Sequence, residues 1–194
     1  MNHYVRIYPF VNDNVTYARF ISIPPNLYKI SDQGVSWVND LNGDLEVEFV
    51  NSSKLFPDIL STNTGLFLIS NNFKKIIEEE LIEDIPHIEF FYVKTNIDDV
   101  HYWALNILNN IKCFDWENSI YTVFESDSNV LIDKPDTVTS LVIDDIKVGD
   151  RNVFRMYEKR TNLFISQKFL SILVKYDISG YRITYTSDLR QIFD

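Results

Sequence analysis

Strict alternation of hydrophobic and polar residues is clearest at residues 45–50, LEVEFV. In a strand, Leu45, Val47 and Phe49 would face one side while Glu46 and Glu48 face the other. Five further segments are rich in β-branched and aromatic residues and predict strands. They are HYVRIYP (3–9), IEFFYVKT (88–95), SIYTVFES (119–126), TSLVIDDI (139–146) and NVFRMYE (152–158). Gly149 lies at a turn position between the last two, so we expect these two strands to form a hairpin.

A helical period of hydrophobic residues occurs in two segments, and each begins at a serine. Ser70 and Ser166 are predicted N-caps of helices near 70–83 and 166–177. Their hydrophobic stripes predict buried residues at Phe73, Ile76, Ile77 and Leu81, and at Phe169, Leu170, Leu173 and Val174. The segment 99–113 fits neither period well and stays ambiguous between helix and strand.

The two helical segments lie in similar surroundings, LFLISNNFKKII (66–77) and NLFISQKFLSIL (162–173). Each is a strand, a capping serine and a helix, followed by another strand. We interpret this as a stable supersecondary unit used twice, with shared ancestry as the alternative. The predicted fold is a single α+β domain spanning 1–194, mainly an antiparallel sheet with a few packed helices. The predicted core is Ile69, Phe73, Ile76, Ile77, Phe90, Val142, Phe154, Ile165, Phe169 and Leu173.

Composition supports strands, because aromatic residues make up 14% of the chain and there are only two alanines. The formal net charge of -10 argues against binding nucleic acid or an anionic membrane. No hydrophobic run approaches the ~20 residues of a membrane-spanning helix. The first ten residues lack the pattern of a signal peptide, and Cys113 is the single cysteine, so we expect a cytoplasmic protein.

Several kinds of chemical site are excluded by the motifs. The five glycines are too widely spaced for a P-loop, a dinucleotide-binding turn or a nucleophile elbow. His3, His87 and His101 form no helical metal-binding pair, and the single cysteine excludes a disulfide within the chain and a cysteine-based zinc site. The pairs Asp98-Asp99 and Asp144-Asp145 are better explained as solvated or capping acids than as Mg²⁺ or Ca²⁺ ligands.

Aromatic residues among acids are the remaining functional candidates, because such segments can anchor a basic protein surface. One candidate is the acidic strand and its preceding loop, with Trp37, Asp40, Asp44, Glu46 and Glu48. The second is the aromatic segment 101–121, with Tyr102, Trp116 and Glu117. The alternatives are that the acids only solubilise a sheet face and that the rings fill the core.

The segment 101–121 contains three motifs in order: Tyr102-Trp103, Leu105-Asn106-Ile107 and the turn Asp115 to Ser119. They carry a resemblance to the bacterial polymorphic-toxin immunity-protein family numbered eleven, formerly a domain of unknown function. The resemblance continues in LVIDDIKVGDRNVFRM (141–156) with Phe154-Arg155, and in the segment 163–183 with Ser166 and Gly180. With the earlier strand–helix unit it covers residues 64–186.

The resemblance implies an immunity protein, or antitoxin, that binds one cognate toxin stoichiometrically in the cytoplasm during interbacterial competition. It implies no enzyme activity, and we assign no catalytic, cofactor-binding or metal-binding residue and expect no cofactor. Two alternatives remain open: a small enzyme or ligand-binding domain whose site is assembled by folding, and a non-catalytic regulatory or scaffold module. A buried polar pocket with perturbed titratable groups would favour the enzyme.

Overall fold

The computed structural model describes residues 4–10, 16–24, 27, 33–39, 41, 43–50, 55–123 and 134–186. The strands in these ranges are β1 Tyr4–Pro9, β2 Tyr17–Ser22, β3 Leu45–Val50, β4 Ile59–Leu60, β5 Phe67–Ser70, β6 Ile88–Thr95, β7 Tyr102–Ile107, β8 Asn110–Ile111, β9 Ile120–Tyr121, β10 Val138–Ser140, β11 Val153–Met156, β12 Lys159–Ser166 and β13 Tyr181–Tyr185. The helices are α1 Asn71–Glu80, the one-turn α2 Asp145–Val148 and α3 Gln167–Lys175, with a 3₁₀ turn at Ile85–His87. The predicted α+β class is confirmed.

Two larger sheets and a small one hold these strands. The first sheet has the order β13-β1-β12-β11-β8 and the second has the order β2-β3-β6-β7-β5-β4, while β9 and β10 form a separate pair. Most neighbours are antiparallel, as predicted, although β3 runs parallel to β6 and β8 runs parallel to β11. No helix among the described residues is long and hydrophobic enough to cross a membrane.

The predicted strand–serine–helix unit occurs twice and is part of a larger common topology. In the second sheet, β4, β5, α1 and β6 follow one another, and β7 lies between β5 and β6, antiparallel to both. In the first sheet, β11, β12, α3 and β13 follow one another, and β1 lies between β12 and β13 in the same way. The inserted strand in the second sheet is β7, which follows the unit in the chain. The inserted strand in the first sheet is β1, which lies far before its unit in the chain.

Both capping serines form the predicted N-caps. The Ser70 hydroxyl accepts from the Phe73 amide at 3.1 Å, and the Ser166 hydroxyl accepts from the Phe169 amide at 3.2 Å. Each hydroxyl also donates to a polar side chain on the strand hairpin before it. Ser70 donates to Asp58 Oδ1 and Ser166 donates to Asn152 Oδ1, both at 2.7 Å. The caps therefore tie each helix to its own sheet as well as satisfying its first amides.

The same two polar residues also connect the two units. Asp58 accepts from the amide and hydroxyl of Ser179, in the turn after α3, at 3.1 and 2.9 Å. Asn152 donates its amide and side-chain nitrogens to the two carboxylate oxygens of Asp84, in the turn after α1, at 3.0 and 2.8 Å. Since Asp84 is 1% exposed, these are buried, charge-assisted hydrogen bonds.

The main core lies between the two sheets and takes in both long helices. Phe73 and Phe169 meet there with ring centroids 6.2 Å apart. Eight of the ten predicted core residues are buried in the protein, and Phe90 is half-buried against the main core. The prediction for Val142 is wrong, because it is 36% exposed, and Val174 of the predicted α3 stripe is 70% exposed.

Of the strand predicted at 139–146, only residues 139 and 140 are in a strand, and the predicted hairpin is wrong. β10 ends at Ser140, and the chain instead forms α2, whose N-cap is Asp144. The Asp144 carboxylate accepts from the amides of Ile146 and Lys147, and such local bonds compete with strand pairing. The ambiguous segment at 99–113 contains the strands β7 and β8. The strand predicted at 119–126 is described only to residue 123, and β9 covers two of its residues.

Candidate functional site: the open face of the second sheet

The acidic strand β3 has the predicted two faces. Leu45 and Val47 are buried, and Glu46 and Glu48 lie on the opposite side. Both carboxylates have basic partners on the neighbouring strands. Glu48 pairs with Arg19 of β2, and Glu46 Oε1 lies 3.7 Å from Lys94 Nζ of β6. Because each acid is matched by a cation, this strand does not present the unpaired negative charge that its sequence suggested.

The face that carries these pairs continues across four strands in the order β2-β3-β6-β7. The register places Glu46 beside Lys94 and Tyr92 beside Trp103, and side chains two residues apart in a strand share a face. We call this surface the open face, because no described element covers it beyond α1. It consists of Arg19, Glu46, Glu48, Phe90, Tyr92, Lys94, His101 and Trp103.

The aromatic half of the open face comprises Phe90, Tyr92, His101 and Trp103. The Tyr92 ring contacts the Trp103 ring edge-to-face at 5.6 Å and lies 6.2 Å from the His101 ring. Tyr92 is 51% exposed although it follows the half-buried Phe90 on the same side of β6. The reason is that α1 packs chiefly against β5 and β7, and Tyr92 lies beyond it on β6.

The edge of α1 fixes the rings next to it. The Trp103 Nε1 donates to Asn71 Oδ1 at 3.2 Å, at the first residue of the helix. The Lys74 ammonium lies 4.8 Å from the Trp103 ring and 5.0 Å from the Phe90 ring, and it forms an ion pair with Glu78. These distances are in the range of cation–π contacts. The aromatic half therefore already holds one cation of the chain itself, the Lys74 ammonium.

Two of the residues predicted to contact a partner are interior residues, so these predictions are corrected. Trp37 is fully buried and stacks on Phe91 at 5.4 Å, on the covered side of the second sheet. Tyr102 is 2% exposed and donates its hydroxyl to the Pro57 carbonyl at 2.6 Å. Burial, with the nearby charge of Asp58, raises the pKa of Tyr102. Hydrophobic packing accounts for both rings without a partner.

The other predicted residues lie in different places. Asp44 is exposed just before β3, and Asp40 lies outside the described residues. Trp116 is half-buried in a trio with Phe114 and Tyr121, where ring centroids are 4.7 to 5.4 Å apart. This trio belongs to the cluster that covers the first sheet, so Trp116 and the exposed Glu117 are not part of the open face.

The turn beside Trp116 is ordered by Asp115, whose carboxylate accepts from the amides of Glu117 and Asn118 at 3.0 and 3.1 Å. The side-chain hydrogen bond from Asn118, at 2.7 Å, is the main cause of the lowered pKa of Asp115. The Asp-rich turn therefore has a structural explanation, as acids that cap a turn commonly do.

A groove of about 640 Å³ lies between the turn after α1 and the start of α3. Its lining includes Glu83, Asp84, Arg151, Asn152 and Lys168. The buried carboxylate in this groove, Asp84, has both oxygens engaged by Asn152. That carboxylate holds the two units together and is not available as a general base. No group of three potential metal ligands occurs among the described residues.

Sequence reasoning missed Tyr92, His101 and Trp103 as neighbours on one surface. The sequence contained part of the information needed to find this surface. Alternation in IEFFYVKT places Phe90 and Tyr92 on the same side of one strand. The pairing of Tyr92 with Trp103 depends on how β6 and β7 are aligned, which the ambiguous segment at 99–113 did not reveal.

Comparison with known proteins places this fold in a family. No curated protein matches the chain. A family model described as "Immunity protein family (Imm11)" matches residues 12–187, which include the open face and both strand–serine–helix units. The match confirms the resemblance seen in the segments around 101–121, 141–156 and 163–183. Because it runs through nearly the whole of both larger sheets, we conclude that the chain belongs to the Imm11 immunity protein family.

Proposed function

We propose that this protein neutralises a cognate bacterial toxin by binding it directly and stoichiometrically in the cytoplasm. Its membership of the immunity protein family, over residues 12–187, is the observation that carries the proposal. An immunity protein inhibits by occupying the surface through which its toxin acts or by blocking access to it. Such inhibition needs a complementary surface but no catalytic residue and no cofactor.

The open face has the physical character that such a surface needs. Exposed aromatic rings beside charged pairs are typical of protein–protein contacts, because rings bury a large area while polar groups at the rim give specificity. Trp103 is held by its hydrogen bond to Asn71 and packs against Tyr92, so little side-chain entropy of the indole would be lost on binding. The net charge of -10 would in addition attract a basic toxin over long distances.

The test is co-expression of this protein with the C-terminal domain of the protein encoded by the neighbouring gene. We expect cells to survive only when both are produced together, and the two proteins to co-purify as a complex whose mass gives a fixed ratio. The matched control is the toxin domain with an empty vector.

The amount of protein required separates binding from catalysis. A stoichiometric inhibitor protects only when it equals or exceeds the toxin, and titration against purified toxin domain should reach full inhibition at one equivalent. Protection at a small fraction of one equivalent, or protection without a complex, would contradict this proposal and favour the enzyme alternative.

A further inference from the structure

We propose that the toxin docks on the aromatic half of the open face and places an arginine or lysine side chain over the exposed ring of Tyr92. This inference rests on the proposed function and specifies the contact surface and the chemistry of the partner. The partner is a protein domain with a basic contact surface.

The first support is that the ring cluster already binds a cation from within the chain. Lys74 lies over Phe90 and Trp103 at 5.0 and 4.8 Å, on the side nearest α1. Aromatic faces attract ammonium and guanidinium groups through the negative charge density of the ring. The inner rings are thus occupied, while the outer ring, Tyr92, is half exposed, with the Trp103 and His101 ring centroids 5.6 and 6.2 Å away.

The second support is charge complementarity around the aromatic half. Exposed acids lie on both elements that border it: Glu78 and Glu79 on α1, and Asp98 and Asp99 in the turn between β6 and β7. Lys74 pairs with Glu78, and the exposed Lys75 balances Glu79 on α1, so the negative surplus at this rim comes from Asp98 and Asp99. A cation that approaches Tyr92 would therefore be attracted by the rim and by the net charge of the whole chain.

The third point concerns the charged half of the open face, which is compatible with a basic partner surface beside Tyr92. Glu46 and Glu48 each pair with a cation, and the Glu46–Lys94 distance of 3.7 Å is loose. A basic residue of the partner can compete with Lys94 for Glu46 without leaving a buried unpaired charge, because the pair is exposed. The whole open face is thus compatible with one basic contact surface.

Three substitutions at Tyr92 test both the place and the chemistry. Tyr92→Phe keeps the ring face and loses only the weak hydroxyl contact to His101, which is 3.4 Å long. Tyr92→Leu keeps hydrophobic bulk but has no ring, and Tyr92→Ala removes both. The control is Ile120→Ala, which truncates a side chain that is 63% exposed on β9, outside the open face.

Binding of each variant to the purified C-terminal toxin domain from the neighbouring gene is measured by calorimetry. Each variant's melting temperature is recorded to show that it is folded. We expect Tyr92→Phe and Ile120→Ala to bind within about twofold of the wild type. We expect Tyr92→Leu to bind about five- to tenfold more weakly and Tyr92→Ala more weakly still, as a lost cation–π contact in a partly desolvated site implies.

The outcomes distinguish the two proposals. If the wild type does not bind the toxin domain, the proposed function fails, and this inference fails with it. If the wild type binds and folded Tyr92→Ala binds equally well, the toxin contacts another surface, and only this inference is overturned. If Tyr92→Leu binds as well as Tyr92→Phe, the contact at Tyr92 is hydrophobic and the assignment of a cationic partner is wrong.

Discussion

Truncation of either helix phenylalanine at the centre of the core should destabilise the protein strongly. Phe73 of α1 is 1% exposed and Phe169 of α3 is 4% exposed, and their rings lie 6.2 Å apart. Replacing a buried Phe with Ala typically costs 3–5 kcal/mol, because the lost hydrophobic burial is joined by the cost of a cavity. At about 2–4 °C per kcal/mol for a chain of this size, Phe73→Ala and Phe169→Ala should each lower the melting temperature by about 6–20 °C.

The effects of the two substitutions on the free energy of unfolding should also be coupled, because the two rings pack against each other. A double variant should cost less than the two single variants together, by about 0.5–3 kcal/mol, as found for residues in contact. Urea unfolding followed by circular dichroism gives the free energy of unfolding for the four proteins of the cycle. If the double variant is too unstable to measure, Phe→Leu at both positions provides the same cycle with smaller losses.

Two results would refute this reasoning. If either single variant melts within about 3 °C of the wild type, the helix face assigned to that ring is wrong. If the two losses add within about 0.3 kcal/mol, the helices do not share a core at this point, and the contact between the two strand–serine–helix units lies elsewhere.

Three further predictions follow from the charged residues. Replacing both Glu46 and Glu48 with lysine should slow association with a basic toxin about 2–10-fold at low salt, and by less at high salt. Stopped-flow measurements give the association rates. An unchanged rate at low salt would show that this strand does not contribute to electrostatic attraction of the toxin. Asp84→Asn should lower the free energy of unfolding by about 2–4 kcal/mol in urea, because an amide can offer only one acceptor to the two donors of Asn152; an unchanged midpoint would contradict a structural role. Burial raises the pKa of Glu158 above its ordinary value of 4.5, so the folded state binds this proton more tightly than the unfolded state does. The wild type therefore loses stability as the pH rises from 4.5 through the raised pKa. Glu158→Gln lacks this loss, so thermal melts should show its stability relative to the wild type improving over that range, and a constant difference would refute the assignment.

The sequence alone determined those features that depend on near neighbours in the chain. The N-caps at Ser70 and Ser166 follow from capping, and the buried stripe of α1, with Phe169 and Leu173 of α3, follows from the helical period; both signals are local. The two faces of β3 follow in the same way from alternation. Local patterns fail where a side chain offers the backbone a competing bond, as Asp144 does where α2 replaces a predicted strand.

The environment of each candidate residue was decided only by the tertiary structure. An acid or a ring in a sequence carries no information on which distant residue packs against it. The fold buries Trp37 under the second sheet and pairs Glu48 with Arg19, which removes an indole and a free charge from the predicted surface.

The same dependence on distant residues created the open face. Tyr92 and Trp103 become neighbours through the register of β6 and β7, and Tyr92 stays exposed because α1 covers only part of the sheet. The register between strands, and the part of the sheet that a helix covers, are set by the packing of the whole chain. The local pattern of hydrophobic residues is compatible with several registers and several helix positions. The sequence thus specified which elements form and which of their faces are hydrophobic, and the tertiary fold decided which of the remaining side chains meet at the surface.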